Sequence, residues 1–291
     1  MSIKIGEINS RVKFVYDEMF PIYFIKGEKN IIIDCAISSK ALKIEKGIKE
    51  FLDGKLDYVL LTHSHYDHTG SCTYIENKFN PVTMGSERTV EILKKQKAID
   101  FIRRINNDFK KILNDDSDIE FNGIKNLKSL KEGDTINIDK DSYIKVFQSP
   151  GHTRCSLSYY LLPDRILFMG DAGGVLERTG KIKPLFLSSY KSYINSLETL
   201  SQLDVEFIGL PHNNPIRGKE NVMKFFEDSI NTAKKAKDEI LKALETGKDI
   251  QEVAEEILER EYPSPTVMGP RETFMINLVA MVNAVKKEFI T

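Results

Sequence analysis

Short runs of apolar residues alternate with polar residues through the first third of the chain. Ile31-Ile32-Ile33 is fully apolar, which is typical of a strand buried on both faces. Apolar residues recur at helical spacing from Ala41 to Leu52, just before Gly54. The pattern predicts strands at 11–16, 22–26, 31–33 and 58–61, with one helix before the last of them. This last strand runs directly into the polar segment from Thr62 to His68.

The middle of the chain returns to strand-like patterns after one long helical segment. Apolar residues recur at helical spacing from Ser86 to about Leu113, which predicts a helix. Further strands are predicted within 127–149 and at 156–162, 166–169 and 205–210, with a helix at about 189–203. Past His212 the chain has only amphipathic helical patterns, which predict three helices. The pattern therefore indicates a body of strands and helices followed by a helical C-terminal cap.

Composition excludes several classes of protein. The 291 residues are 41% hydrophobic, and 42 Lys+Arg against 43 Asp+Glu give a net charge of −1, so no global basic field attracts nucleic acid. The three cysteines, Cys35, Cys72 and Cys155, form no CxxC pair, which excludes a disulfide framework and a structural zinc finger. The N-terminal residues lack the apolar core of a signal peptide, and no apolar run approaches the roughly 20 residues of a membrane span. We therefore expect a reduced, soluble, cytoplasmic protein.

Three of the five histidines lie within six residues, as H-x-H-x-D-H from His63 to His68. Chance would produce this string in roughly one chain in ten thousand of this composition and length. A single histidine is usually a satisfied core or surface residue. Clustered imidazoles, in contrast, would repel one another on protonation unless they coordinated a cation. The motif therefore predicts a metal site.

The spacing of this motif indicates two ions. The motif follows a buried strand, and alternate residues of an extended segment face the same way, so His63 and His65 can approach one ion together. Asp67 and His68 are adjacent and point apart, so they more naturally serve a second ion nearby. Neutral imidazole and carboxylate are ligands that zinc, iron and manganese prefer.

Three further candidate ligands also follow predicted strands. His152 and His212 come directly after strands, in the segments SPGHT and LPH. Asp171 follows another apolar strand, in MGDAGG. A turn aspartate is common, but at this position it is better interpreted as the bridging carboxylate that two close metals require. The sequence thus predicts a dinuclear metal centre along one edge of a β-sandwich.

The motifs HSHYDH, GHT at 151–153, GD at 170–171 and PH at 211–212 closely resemble those of the metallo-β-lactamase-fold hydrolases, over about residues 10–215. The resemblance implies the α+β class and the αββα sandwich, with the site at one edge and a C-terminal helical segment. It also implies two ions, most simply zinc, with iron or manganese as alternatives. In that family arrangement one ion would be held by His63, His65 and His152, the other by Asp67, His68 and His212, and Asp171 would bridge them.

The resemblance also divides the chain. Residues 1–215 correspond to the catalytic domain, with a helical insertion at about 92–122, and residues 216–291 to a helical cap. The cap looks similar, in helix content, to the C-terminal part of glyoxalase II and of related thioesterases and quorum-signal hydrolases. The flavodiiron branch places Glu where this chain has His65. The best-known β-lactamases place Cys where it has Asp171, and they are secreted.

The ligand set implies a mechanism. Two cations that share a water can lower its pKa to about 7, and the resulting hydroxide attacks a carbonyl carbon or a phosphorus. Asp67 is the catalytic residue that we expect to orient the nucleophile and accept its proton. Asp34 is a candidate to hydrogen-bond a ligand imidazole. Tyr66 either reaches the substrate or packs against the next helix.

Some other residues have less specific roles. Cys72 and Cys155 are interpreted as small buried residues, and the alternatives for Cys155 are a group that supports a metal ligand or a redox-sensitive thiol. The Met and Phe residues of the C-terminal helices are interpreted as core, with Phe274 or Met275 as candidates to line a substrate cavity.

Four functions remain open at this point. The leading hypothesis is a hydrolase of a small carbonyl ester, thioester or lactone. The second is a phosphodiesterase or RNA-processing nuclease, which would need a basic face; Lys94-Lys95 and Lys110-Lys111 keep it open. The third is an oxidoreductase like the persulfide dioxygenases, with one iron, and the fourth a non-catalytic binding protein. We expect a small-molecule substrate, no membrane partner and no nucleic acid, and the sequence is compatible with a homodimer.

Overall fold

Two β-sheets form the centre of the protein, in a computed structural model that describes residues 4–15, 17, 19–177, 179–262 and 270–290. The first sheet has seven strands, which lie side by side in chain order. They are β1 (Ile5–Glu7), β2 (Val12–Val15), β3 (Ile22–Ile25), β4 (Ile31–Ile33), β5 (Tyr58–Leu60), β6 (Val82–Ser86) and β7 (Leu127–Leu130). Strands β1 to β4 are antiparallel, and β4 to β7 are parallel.

The second sheet is built from the later strands. These are β8 (Thr135–Asn137), β9 (Tyr143–Gln148), β10 (Leu157–Leu162), β11 (Ile166–Phe168), β12 (Val175–Leu176), β13 (Ile182–Lys183), β14 (Phe207–Gly209) and β15 (Ile216–Arg217). Six of them form the sheet, in the order β15-β14-β11-β10-β9-β8, and β12 pairs with β13 separately. Strands β11 and β14 are parallel, so their carboxyl ends lie at the same edge of the sheet.

Helices cover the outer faces of both sheets. They are α1 (Ala41–Phe51), α2 (Tyr66–Thr69), α3 (Cys72–Phe79), α4 (Glu87–Leu93), α5 (Gln96–Leu113), α6 (Tyr190–Ser201), α7 (Lys219–Glu245), α8 (Ile250–Glu261) and α9 (Arg271–Phe289). No helix among the described residues is both long and apolar enough to cross a membrane.

The core has three apolar layers, one between the two sheets and one between each sheet and its helices. Both faces of each sheet are apolar, and alternate side chains of a strand point to opposite faces. In β3, Tyr23 and Ile25 join the cluster between the two sheets. Their neighbours Ile22 and Phe24 join the cluster between the first sheet and its helices, to which α5 contributes Phe109. The third cluster lies between the second sheet and helices α6 to α9. The predicted αββα arrangement with C-terminal helices is confirmed.

Several predicted boundaries were wrong. The helix predicted from Ser86 to Leu113 is two helices, α4 and α5, and Ser86 ends strand β6 and caps α4, its hydroxyl accepting a hydrogen bond from the Thr89 amide at 3.1 Å. Strand β15 follows His212, where only helices were predicted. Strands β1, β6, β12, β13 and β15 were missed because most have only two or three residues, and β6 includes a glycine and two hydroxyl residues.

Parts of the predicted elements lie outside the described residues. They are Tyr16, at the end of the strand predicted at 11–16, residues 1–3, 18 and 178 of the predicted catalytic domain, and residues 263–269 and 291 of the predicted cap.

Candidate metal centre

All seven candidate ligands lie just after strands, and the two sheets bring those strand ends together. His63 and His65 follow β5 in extended backbone, and Asp67 and His68 lie on the short helix α2. These four come from the first sheet. The second sheet contributes the other three ligands, which follow β9, β11 and β14 and are His152, Asp171 and His212.

The first group contains His63, His65, His152 and Asp171, whose ligand atoms all lie within 4.8 Å of one another. The Nε2 atom of His152 lies 3.2 Å from His63 Nε2 and 3.1 Å from His65 Nδ1. The Oδ2 atom of Asp171 lies 3.3 Å from His152 Nε2 and 3.9 Å from His63 Nε2. Three ring nitrogens and one carboxylate oxygen thus converge on one point.

The second group contains Asp67, His68 and His212, and it adjoins the other oxygen of Asp171. The Oδ1 atom of Asp171 lies 3.5 Å from His212 Nε2 and 3.7 Å from His68 Nε2. His212 Nε2 also lies 3.7 Å from Asp67 Oδ2. Each oxygen of Asp171 therefore faces a different ligand group.

Two buried atoms in this cluster lack a hydrogen-bond partner: His68 Nε2 and Asp171 Oδ1. Both residues are at most 4% exposed. An unpaired buried polar atom is costly, and a cation is the partner that would satisfy an imidazole nitrogen and a carboxylate oxygen together. The donor set of imidazoles and carboxylates also suits zinc, iron or manganese. The residues present therefore fit a metal centre.

Three of the five imidazoles are held, on the side away from the centre, by an acceptor elsewhere in the chain. His68 Nδ1 lies 2.8 Å from Asp34 Oδ2, as considered from the sequence. His152 Nδ1 lies 2.9 Å from the Leu185 carbonyl, and His212 Nδ1 lies 2.8 Å from the Met19 carbonyl. An imidazole that donates from one nitrogen presents the lone pair of the other nitrogen, and for these three histidines that other nitrogen points to the centre.

Burial and nearby charges shift the pKa values of the imidazoles in opposite directions in the two groups. Burial lowers the pKa of His63 well below its ordinary value and lowers the pKa of His65 to about 3. These two rings are therefore neutral. For His68, burial acts in the same direction, but the Asp34 carboxylate and its acidic neighbours outweigh it and raise the pKa. The surroundings of His68 thus stabilise positive charge.

Asp171 is ionised for a related reason. Burial alone would raise its pKa, but His152 and His212 outweigh burial and hold the pKa well below its ordinary value. A carboxylate with both oxygens directed at ligand groups is what a bridging position requires.

Asp17 is a supporting residue that sequence analysis missed. Its Oδ1 accepts hydrogen bonds from the Met19 and Phe20 amides, both at 3.1 Å. Its Oδ2 pairs with Lys40 at 2.8 Å and with Lys43 at 2.9 Å. The loop held in this way supplies the Met19 carbonyl to His212, and the Phe20 ring packs against the same imidazole with centroids 5.6 Å apart. Aspartates that start such turns are too common to be singled out from sequence.

Tyr66 and two of the cysteines also have defined places. The Tyr66 ring packs on Phe109 of α5 with centroids 5.6 Å apart, and it also lines the cavity beside the ligands. Helix packing is therefore observed, and contact with a substrate stays a prediction. Cys155 is buried, and its thiol lies 3.5 Å from the hydroxyl of Ser64, the residue between the candidate ligands His63 and His65. Cys72 is a buried free thiol, as expected.

A cavity of about 650 Å³ opens onto the ligand cluster. Five of the seven candidate ligands line it: His65, Asp67, His152, Asp171 and His212. Its apolar wall comes from α5, in the predicted insertion, and from helices α7, α8 and α9. Phe274 lines the cavity, whereas Met275 is not among the described residues that do.

Comparisons with known proteins agree with this geometry. A family model described as the metallo-beta-lactamase superfamily matches residues 21–212. A metallo-beta-lactamase fold-containing protein of Sulfurisphaera tokodaii is 27% identical over 214 residues, which cover 70% of this chain and 76% of the relative. A hydroxyacylglutathione hydrolase of Buchnera aphidicola is 34% identical over 174 residues, which cover 58% of this chain and 52% of that enzyme.

Solved structures show the same fold. A beta-lactamase domain protein from Burkholderia ambifaria superposes with a TM-score of 0.68 at 17% sequence identity. The match covers 98% of this chain and 88% of that one.

Proposed function

Because the chain belongs to the metallo-beta-lactamase superfamily, we propose that it is a dinuclear metal-dependent hydrolase of a small carbonyl substrate, namely a thioester, an ester or a lactone. The observation that carries this proposal is the carboxylate of Asp171, whose two oxygens face two separate ligand groups beside one cavity. Similarity to a hydroxyacylglutathione hydrolase supports hydrolysis as the reaction class.

In this proposal His63, His65 and His152 would hold the first ion, Asp67, His68 and His212 would hold the second, and Asp171 would contribute to both. We propose zinc, with iron and manganese as the alternatives that the same donors accept. Divalent ions at these positions supply Lewis acidity toward a carbonyl oxygen and acidify water.

The residues of the chain contribute orientation and proton transfer. Asp67 orients the attacking water and accepts its proton at a carboxylate oxygen. Asp34 and the carbonyls of Met19 and Leu185 keep three imidazoles in fixed tautomers. The apolar residues in the cavity wall would reduce the amount of water around the reacting carbonyl, which would strengthen the electrostatic interactions there.

The cavity favours a carbonyl compound over a nucleic acid. A nuclease needs cations free to contact phosphates. Here three of the four lining lysines are already paired, Lys40 and Lys43 with Asp17 and Lys183 with Glu177 at 3.0 Å, and the fourth, Lys181, is exposed to solvent. One such cation is fewer than a polyanionic backbone needs.

Metal content and hydrolysis test the proposal together. We expect about two metal equivalents per chain by elemental mass spectrometry, and hydrolysis of at least one member of a panel of thioesters, lactones and phenyl esters. His65→Ala and Asp171→Ala should lose metal and hydrolysis while they remain folded, because each removes a converging ligand. The control Asp116→Ala changes an exposed carboxylate and should retain both.

Three results would contradict this proposal. One equivalent of iron would indicate a mononuclear oxidoreductase, and no metal after reconstitution would refute the metal centre. Full metal content and activity in Asp171→Ala would refute the ligand assignment.

A further inference from the structure

We propose that the cavity beside the ligand cluster selects substrates by an uncharged, apolar acyl group, which lies between α5 and the C-terminal helices. This inference deepens the proposed function and rests on it for the reacting carbonyl. In this proposal the carbonyl lies at the ligands, and the acyl group lies against the helices that line the rest of the cavity.

The interior of the cavity is apolar far beyond the ligand cluster. Helix α5 contributes Phe109, and the C-terminal helices contribute Leu258 and Met281, all three at most 5% exposed. Phe274 and Leu278 of α9 line the same space and are only partly buried. Ligand cavities of this size commonly bury most of their ligand against such walls, with a few polar groups that fix its orientation. Here the ligand cluster supplies polar groups for the reacting carbonyl, and most of the other charged residues in the lining pair with one another.

Two exposed apolar side chains continue this wall toward solvent. Phe101 of α5 is 41% exposed and Ile276 of α9 is 42% exposed, and both line the cavity. Their helices are joined by Arg104, which donates to both carboxylate oxygens of Glu272 at 3.0 and 3.2 Å. A single exposed apolar residue is ordinary, but two on linked helices at the mouth of one cavity form a path that an apolar chain can follow without losing contact with the protein.

The charges around the cavity argue against a multiply anionic substrate. The lining residues include six carboxylates and five cations. Four of these cations are paired: Lys40 and Lys43 with Asp17, Lys183 with Glu177, and Arg260 with Glu239 at 3.2 Å. The fifth, Lys181, is exposed to solvent. An anionic group on the substrate would have to displace these carboxylates, whereas an uncharged acyl chain needs no charged partner.

A chain-length series with one leaving group tests the inference. The metal-loaded protein is assayed with p-nitrophenyl acetate, butyrate, hexanoate and octanoate. We expect kcat/KM to rise about 100-fold or more from acetate to octanoate, because each methylene fully removed from water contributes up to about fourfold. Binding of decanol, an uncharged alcohol that cannot be hydrolysed, is measured by calorimetry and should have a negative heat-capacity change.

Three variants locate the site. Phe101→Asn and Ile276→Asn should lower the ratio of kcat/KM for octanoate to that for acetate about tenfold, and should weaken decanol binding by a similar factor. Ile112→Asn is the matched control, because Ile112 is 43% exposed on α5 but is not among the residues that line the cavity. It should change neither quantity.

The outcomes separate this inference from the proposed function. One outcome is that the protein binds decanol, that Phe101→Asn and Ile276→Asn weaken this binding, and that no ester is hydrolysed. This outcome would support an apolar acyl site and refute the hydrolase. Equal kcat/KM for acetate and octanoate without decanol binding would overturn the acyl cavity and leave the hydrolase standing. If Ile112→Asn had the same effect as Phe101→Asn and Ile276→Asn, the inference of an apolar acyl site would also be overturned.

Discussion

Individual ligand side chains are held from behind by residues that are distant in sequence. Asp34 illustrates this best, because its carboxylate contacts His68 Nδ1 at 2.8 Å and accepts hydrogen bonds from the amide and the hydroxyl of Thr62 at 2.7 and 2.8 Å. It therefore orients a candidate ligand and also the backbone that leads into the motif. Its backbone has φ +58°, a conformation that aspartate and asparagine tolerate better than most residues.

We expect Asp34→Asn to lower metal affinity by roughly 10–100-fold while the fold is retained, because His68 loses a charged acceptor but the backbone conformation is still accessible. Competition with a chromogenic chelator measures the affinity. Asp53→Asn is the matched control, because Asp53 also has positive φ but pairs only with the exposed Lys26 among the contacts described. Unchanged affinity in Asp34→Asn would mean that this hydrogen bond does not support the metal centre.

Asp17 is a second residue that supports the site, and it does so through ion pairs with two lysines. Burial alone would raise its pKa, but Lys40 and Lys43 outweigh burial and lower the pKa below its ordinary value. A carboxyl whose pKa is lower in the folded state than in the unfolded state adds stability above the unfolded-state pKa. That contribution is lost as the pH falls through the folded-state pKa.

Asp17→Asn should reduce the free energy of unfolding by about 1–3 kcal/mol at pH 7, because two lysines lose their partner while the amide oxygen can still hold the turn. The difference from the unmodified protein should shrink below about pH 4, where the carboxyl itself becomes protonated. Urea unfolding across this pH range measures it. The exposed pair of Asp53 should contribute less than about 1 kcal/mol when Asp53→Asn is measured in the same way. A difference that grows toward low pH would contradict this account.

At the scale of elements, the turns after the strands position the ligands. The turn after β9 contains Gly151, with φ +135°, directly before His152. A Cβ at Gly151 would lie 2.2 Å from the Tyr193 Cα atom of α6, so this turn packs against helix backbone. The carbonyl of Gly151 also accepts hydrogen bonds from the amides of Ser188 and Ser189 at 3.0 and 3.2 Å. The start of α6 and the His152 ligand are therefore positioned together.

Gly151→Ala should destabilise the protein by at least about 3 kcal/mol and reduce metal content, because the added methyl group forces the turn away from α6. Gly133→Ala separates backbone strain from this collision, since Gly133 has φ +82° but its Cβ would meet no atom within 4 Å. We expect it to cost only about 1 kcal/mol. Thermal unfolding and elemental analysis of both variants provide the comparison, and equal losses would show that packing on α6 is unimportant.

For the whole molecule, the candidate metal centre joins the two sheets. Four ligands follow β5 of the first sheet, and the other three follow strands of the second sheet. Without a cation, the buried His68 Nε2 and Asp171 Oδ1 have no hydrogen-bond partner. Bound metal should therefore stabilise the contact between the sheets as well as supply the reaction chemistry.

Removal of metal should lower Tm by roughly 5–15 °C, the effect expected when a ligand present at 100 to 1,000 times its Kd is withdrawn from a protein of this size. Differential scanning calorimetry with and without EDTA measures the shift, and added zinc should restore it. Asp171→Asn should respond much less to EDTA. If the protein loaded with metal had the same Tm before and after EDTA treatment, a structural contribution of the ions would be refuted.

The sequence alone predicted the candidate ligands and the approximate fold. The H-x-H-x-D-H motif needs only six consecutive residues, apolar periodicity reveals long buried elements, and the resemblance of the motifs to the metallo-β-lactamase-fold hydrolases implied the αββα sandwich. Each of the seven predicted ligands lies in one of two adjoining groups. Their roles as metal ligands, and that of Asp67 in catalysis, remain predictions for the experiments above.

Only the tertiary structure decided which distant atoms face one another. Asp17, the Leu185 carbonyl and the packing of Gly151 on α6 depend on contacts between segments far apart in the chain, which local periodicity does not report. The cavity is likewise formed jointly by α5 and the C-terminal helices, whose apolar residues look like ordinary core in sequence. A side chain that faces a cavity and one that faces a neighbouring helix follow the same helical pattern, so the packing of whole elements distinguishes them.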